Sequence, residues 1–184
     1  MKNVVFEGLR RWIVPALLLA GALAPASALA QTAPTLPGGA SSLQEAFQDW
    51  RVACRVAETT KVCVLAQQQA QQNGQRVVAV ELQPRPDNTV TGTMVLPFGL
   101  LLSAGATLQI DEQKPLAPLA FNTCVPGGCV INIVFDAATV TALRSGKALK
   151  VAAKTADNQR DFPLTVSLNG FATGLDRIRA LLKN

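Results

Sequence analysis

From Trp50 onward the chain is a series of short apolar runs rich in Val, Ile and Leu, separated by clusters of Gly, Pro, Asn and Asp. Such runs, bounded by turn residues, predict β-strands. Strands are expected at Trp50–Cys54, at Lys61–Gln69, where Val62 and Val64 alternate around Cys63, and at Arg76–Gln83. Asn73-Gly74 is the hairpin signal between the last two, since both residues accept a positive φ. Pro84-Arg85-Pro86-Asp87 then breaks the pattern. Thr91–Leu96 and Gly99–Leu102 follow as apolar runs parted by Pro97. Ala106–Ile110 is the next strand, turned by Asp111–Lys114. Leu116–Phe121 and Cys129–Phe135 flank a Cys124-Val-Pro-Gly-Gly-Cys129 turn. The near-continuous run Val130, Ile131, Ile133, Val134 predicts a strand buried on both faces.

The period changes twice. Asp136 reads as an N-cap for a short helix over Ala137–Ser145, with Gly146 as its stop. After strands at Lys147–Thr155 and Asp161–Leu168, joined by an Asp157-Asn158 turn, the C-terminal stretch reads as an amphipathic helix. Phe171, Leu175, Ile178 and Leu182 fall on one face, and Arg177, Arg179 and Lys183 lie away from it. Ahead of Trp50, Leu43–Trp50 fits either one helical turn or direct entry into a strand. The fold class is therefore all-β, mainly antiparallel. A sandwich-like domain of about eight to nine short strands is expected, with one short helix near 136–145 and one at the C-terminus.

The first 30 residues have a different character. Lys2, Arg10 and Arg11 precede an apolar run from Ile13 to Leu23, and Ala28-Leu29-Ala30 places small residues where a signal peptidase cuts. This is the grammar of a secretory leader, with cleavage expected after Ala30. The run is short for a bilayer span. The general secretory route fits better than the twin-arginine route, because the residues around Arg10-Arg11 match the latter poorly. No cysteine follows the run until Cys54, so a lipid anchor is not expected. Cleavage removes three cations and one anion and lowers the formal net charge from +5 to +3. That mild excess singles out no partner. Residues 31–42 are rich in Pro, Gly and Ser and read as a flexible linker, with one domain over 43–184. No integral span is expected after cleavage. The chain is expected in the periplasm, at the outer membrane or outside the cell.

Export decides how the four cysteines are read. An even number in an oxidising compartment favours disulfides, and three pairings are open. Cys54–Cys63 with Cys124–Cys129 is the favoured set, because the Pro-Gly-Gly turn lets the chain double back between the second pair. A zinc site and a redox pair fit less well. Cys54 and Cys63 are too far apart for a ligand pair, and Cys124 and Cys129 lack the two-residue spacing of a helix-capping redox motif.

Candidate chemistry is sparse. The chain has no His and no Tyr, which removes His-dependent nucleophilic catalysis and His metal ligation. No phosphate-binding Gly loop follows a strand. Arg144, Lys147, Lys150 and Lys154 lack interleaved aromatics and read as a solvated face, so no nucleic-acid partner is expected. No cofactor, metal site or catalytic residue is assigned, and the chain is not expected to be an enzyme. Glu81, Asp111 and Glu112 are the carboxylates on which a histidine-free hydrolase would have to rely. Asp111 and Glu112 read as turn residues, and Glu81 as an outward-facing strand position. The run Val95–Leu102 stands out, because Pro and Gly interrupt a very apolar segment. It reads either as a kinked core strand or as an exposed ligand surface, in which case Leu96, Pro97, Phe98, Gly99 and Leu100 are the contact residues. The C-terminal helix is a second possible contact.

Several short pieces occur in a familiar order: Trp50-x-Val-x-Cys54, Cys63, Leu96-Pro97-Phe98-Gly99-Leu100, Leu108-x-Ile110-Asp111, Phe121-x-x-Cys124 with Gly128-Cys129, and Ser167-Leu168-x-Gly170-Phe171. In this order the chain resembles the bacterial invasion-associated locus B family over roughly residues 45–175. The resemblance implies a small exported β-rich protein of the cell envelope, with a role in host-cell interaction or invasion, and brings no catalytic residues to map. Together with the leader, the paired cysteines and the lack of a catalytic set, it points to a binding protein with a protein or other envelope partner. The alternative is a structural or chaperone-like periplasmic protein that maintains the envelope.

Overall fold

The computed structural model describes residues 35–74 and 76–183. The leader, residues 1–30, and the start of the linker lie outside the described residues. Ten strands are present among those described, in two antiparallel sheets. The large sheet has seven strands in the order β1-β2-β3-β4-β5-β8-β7: β1 (Ser42–Phe47), β2 (Trp50–Ala57), β3 (Thr60–Ala70), β4 (Arg76–Pro84), β5 (Val90–Leu96), β8 (Gly128–Phe135) and β7 (Phe121–Val125). The small sheet has the order β10-β9-β6: β10 (Asp161–Ser167), β9 (Ala148–Lys154) and β6 (Thr107–Ile110). Helix α1 (Ala137–Ser145) joins β8 to β9, and α2 (Phe171–Lys183) closes the chain.

The count exceeds the expected eight to nine because Ser42–Phe47 is a strand rather than a helical turn. Gln48, at φ 52°, turns it tightly into β2. The predicted strand at Leu116–Phe121 is displaced. Leu119 makes only an isolated bridge to Ala106, and pairing with β8 begins at Phe121. The linker reading ends early as well. Leu36 is fully buried in the core, and Ser41 accepts a backbone hydrogen bond from Val56. The folded part therefore starts ahead of Leu43.

Strict alternation orders the large sheet. Trp50, Val52 and Cys54 of β2 face the same way as Cys63, Leu65 and Gln67 of β3, Val78, Val80 and Leu82 of β4, Met94 and Leu96 of β5, and Ile131 and Ile133 of β8. This face is covered and forms the core. The opposite face is open, so β8 is not buried on both sides. Val134 is 72% exposed and Asn132 is also exposed, whereas Ile131 and Ile133 are buried. The apolar run hid a period of two, because Val stands at outward positions that polar residues usually fill.

Two elements cover the inner face. Helix α2 lies over β1 to β4 and turns Phe171, Gly174, Leu175, Ile178 and Leu181 inward. Leu181, three residues after Ile178, takes the place expected for Leu182, which is 40% exposed. Gly174 permits this approach: a Cβ there would sit 2.6 Å from Leu65 Cδ1. Arg177 pins the helix to β1 through paired bonds to Glu45 at 2.7 and 2.8 Å. The small sheet contributes Leu108, Ile110, Leu149, Val151 and Val166 to the same core.

Strand β10 is the outer strand of the small sheet, and side chains of the large sheet satisfy its free carbonyls. Trp50 Nε1 and Gln67 Nε2 both donate to the Ser167 carbonyl, at 2.8 and 2.9 Å, and Gln69 Nε2 donates to that of Thr165 at 2.9 Å. Pro163 shares the outward register of Thr165 and Ser167, so its missing N–H removes no ladder bond. Asp136 caps α1 as expected, accepting from the Thr139 amide at 2.7 Å. Gly146 closes the helix in an extended conformation rather than a left-handed one.

Both favoured disulfides are formed. Cys54–Cys63 and Cys124–Cys129 each join directly opposed residues of neighbouring strands, with Cα separations of 4.0 and 3.9 Å. Each closes a short hairpin and contributes roughly 2–3 kcal/mol by restricting the unfolded chain. Their surroundings differ. Cys54 and Cys63 are buried, whereas Cys124 is exposed. Mild reduction of the native protein followed by alkylation should label Cys124 and Cys129 first. Peptide mapping that found Cys54 and Cys63 labelled first would contradict this placement. The α2 clamp gives a second expectation. Hydrogen bonds from Arg177, reinforced by its charge, hold the Glu45 carboxyl below its ordinary pKa. A depressed carboxyl stabilises the fold above the unfolded value, and this stability is lost as pH falls through the folded one. Glu45→Gln should therefore melt below wild type at about pH 7 and converge with it near about pH 3. An equal gap at both pH values in thermal unfolding would rule out the link.

Candidate interaction surface

At the end of β5 the chain leaves the large sheet through Pro97-Phe98-Gly99 and re-enters the core at Leu100, beside the end of β9. Leu96 is 1% exposed and Leu100 5%, while Phe98 between them is 61% exposed. Two apolar anchors thus sink into the core and hold an aromatic ring outward. Gly99 makes the reversal possible at φ 86°, a left-handed conformation with open space around its α-carbon.

The loop is fixed by backbone bonds to the end of β9. The Gly99 carbonyl accepts from the Ala156 amide at 2.8 Å, the Leu101 amide donates to the Lys154 carbonyl at 2.8 Å, and Leu100 bridges Thr155. Burial of Phe98 would remove apolar area worth about 1.5–3 kcal/mol from water, and the loop withholds it. Leu102, in a 3₁₀ turn at Leu102–Ala104, is also exposed. The Cys124–Cys129 hairpin stands at the same end of the sheet, since Cys129 is the register partner of Leu96, and it exposes Val125. Of the five residues read as a contact surface, Leu96 and Leu100 are core anchors, and the accessible part is centred on Phe98. The C-terminal helix is not a comparable surface, because its apolar face is docked.

The carboxylates do not converge. Asp111 spends its oxygens on the backbone, accepting from the amides of Lys147 at 3.1 Å and Ala148 at 2.9 Å. Glu112 pairs with Lys150. Glu81 lies on a different sheet, on the open outer face, where it lines a shallow depression of about 500 Å³ with Gln83, Thr91, Thr93, Asn132 and Val134. Of the basic set read as a solvated face, Arg144 pairs with Asp176 and Lys154 with Asp161, each at 2.8 Å. No cysteine is free, and no cluster of three or more metal-ligating side chains occurs among the described residues. The outward position of Glu81 was expected, but not that the face stays open as far as β8. Asn132 at the centre of an apolar run was the signal that could have revealed it.

The sequence model of the family described as "Invasion associated locus B (IalB) protein" matches residues 50–179. An invasion protein B homolog of Brucella abortus (strain 2308) is 43% identical over 158 residues, covering 85% of this chain and 91% of the relative. Invasion protein B of Bartonella bacilliformis is 36% identical over 156 residues, covering 81% of each. The crystal structure of invasion associated protein b from Bartonella henselae superposes with a TM-score of 0.73 at 39% identity, covering 77% of this chain and 98% of that one. The match spans both disulfides, the Phe98 loop and most of α2, and by sequence and by fold the chain belongs to the invasion associated locus B family.

Proposed function

We propose that this chain is an exported binding protein of the bacterial cell envelope, with the Phe98 loop as its contact surface. The observation that carries the reading is an aromatic side chain held in solvent between two buried leucines by a backbone-bonded loop. Exposed aromatics on rigid supports serve as interface anchors, because they bury large area at low entropic cost. Export is supported by the leader grammar of residues 1–30 and by two disulfides, which persist outside the reducing cytoplasm. Among the described residues no helix is long and apolar enough to cross a membrane. The proposed site of action is the periplasm, the outer membrane or the cell exterior. The action is recognition rather than catalysis. Relatives carry the name invasion protein B, and the reading extends to contact with a host cell. A structural or chaperone-like envelope role is the second reading, favoured by the open outer face and its exposed Val134.

A photo-activatable residue at position 98, introduced in the living bacterium, should give one dominant adduct. The same residue at the exposed Thr141 of α1 should not. Indistinguishable adduct patterns from the two positions would sink the assignment and favour the shielding role. Phe98→Ala should leave the thermal midpoint near wild type, as surface changes usually stay within about 0.5 kcal/mol. It should also lower host-cell uptake when it replaces the native protein. Undiminished uptake would remove invasion from the proposal and leave the cross-linking result to stand alone.

A further inference from the structure

At the other end of β5, the turn from β4 meets the last turn of α2. Pro84, Arg85, Pro86 and Asn88 face Arg179, Leu182 and Lys183 across a groove of about 420 Å³. Three cations line it, and among the described residues none of them forms an ion pair or donates a side-chain hydrogen bond. The neighbouring acids are engaged elsewhere. Asp87 is held below its ordinary pKa first by the Thr89 hydroxyl and amide, and Arg85 contributes only its charge, the smallest of the causes. Asp176 is gripped by both guanidinium nitrogens of Arg144, at 2.8 and 2.9 Å, and Arg179 again adds only its charge.

The sharpest feature is Arg179. Its Nη2 atom is shut off from solvent and has no hydrogen-bond partner. A buried donor without an acceptor is costly, and more so when it carries charge. Cations in the last turn of a helix do offset its dipole. This accounts for Lys183 at the exposed end, but not for Arg85, which comes from a different element, nor for a buried unpaired nitrogen. The walls are apolar: Pro84, Pro86 and the exposed Leu182 stand beside the charges.

We infer that this groove binds an anionic phospholipid, with the phosphate between Arg85, Arg179 and Lys183 and the start of an acyl chain against Leu182 and the two prolines. A guanidinium fork matches phosphate oxygens in geometry, and a shift of the Arg179 side chain into the groove on binding would give its enclosed, unpaired Nη2 an acceptor. The apolar wall separates this ligand from free phosphate, which has no use for it. The site is distinct from the Phe98 loop, and either assignment can fail without the other.

The test uses the full mature chain, short-chain phosphatidylglycerol in NMR titrations, and vesicles of phosphatidylcholine with or without phosphatidylglycerol in co-sedimentation. Wild type should bind the short-chain lipid saturably, with shifts confined to residues 84–88 and the end of α2, and should sediment only with the anionic vesicles. Arg85→Gln and Lys183→Gln, both at exposed positions, should each weaken binding about tenfold, the order expected for one lost charge-assisted bond. Arg179→Gln should weaken it further. If that variant fails to fold, the two exposed variants carry the test. Lys114→Gln with Lys147→Gln removes two charges elsewhere and should leave binding intact. An equal loss in this control would reduce the effect to general surface attraction and overturn the site. Inorganic phosphate bound as tightly as the lipid would overturn the lipid assignment. So would a wild-type protein that ignores phosphatidylglycerol.

Discussion

Trp50 is the point through which the two sheets and the C-terminal helix are joined. It begins β2, meets Phe171 of α2 edge-on with ring centroids 5.4 Å apart, and donates its indole N–H to Ser167 of β10. A buried Trp contributes large apolar area but must place its single donor. Here the donor goes, together with that of Gln67, to a carbonyl of an outer strand that points away from its own sheet. One side chain thereby sets the distance between the sheets, the position where α2 starts and the placement of β10. Gln67 shares the Ser167 carbonyl, and Gln69 extends the same device along the strand to Thr165. The small sheet is thus attached to the large one by directed bonds as well as by apolar contact, which fixes its register against sliding.

Covering one face leaves the other open. The large sheet is seven strands wide, while α2 and the three-stranded sheet both lie on its inner side. Its outer face carries Glu81, Thr93, Asn132 and Val134 to solvent. Cross-strand disulfides then secure two hairpins near its margins. Cys54–Cys63 is close to the β1 edge and Cys124–Cys129 is at the β7 edge. Edge hairpins are where a sheet frays and where foreign strands add; covalent closure reinforces packing at the buried Cys54–Cys63 pair and supplements it at the exposed Cys124.

Local chemistry made much of this legible. Asp136 as a cap, Asn73-Gly74 and Pro126-Gly127 as turns, and opposed cysteines across short hairpins all depend on neighbours in the chain. Features that depend on distant partners were not readable. Val130 and Val134 look like core residues until the sheet is known to be covered on one side. Leu181 replaces Leu182 because the helix phase is set by Gly174 against Leu65, which no periodicity count includes. The Phe98 segment was half legible. Its Pro and Gly announced an interruption in an apolar run, but which leucines would anchor it followed only from Leu96 pairing with Cys129 and Leu100 with Thr155. The basic groove left no signal in either of its pieces, because Arg85 and Arg179 are 94 positions apart and meet only through the β4–β5 turn.

Strand β5 ties these features into one geometry. It lies between β4 and β8, hydrogen-bonded on both sides, so its length is a fixed ruler. The basic groove sits before Val90 and the Phe98 loop follows Leu96. At about 3.3 Å per residue the strand separates them by about 20 Å. A protein held at an anionic surface through Arg85 and Arg179 would carry Phe98 on the far end of that ruler, turned away from the surface and toward whatever faces it. The same strand that forms the middle of the core would then separate the holding end from the reaching end. That arrangement suits a protein whose work is to present one surface while resting on another.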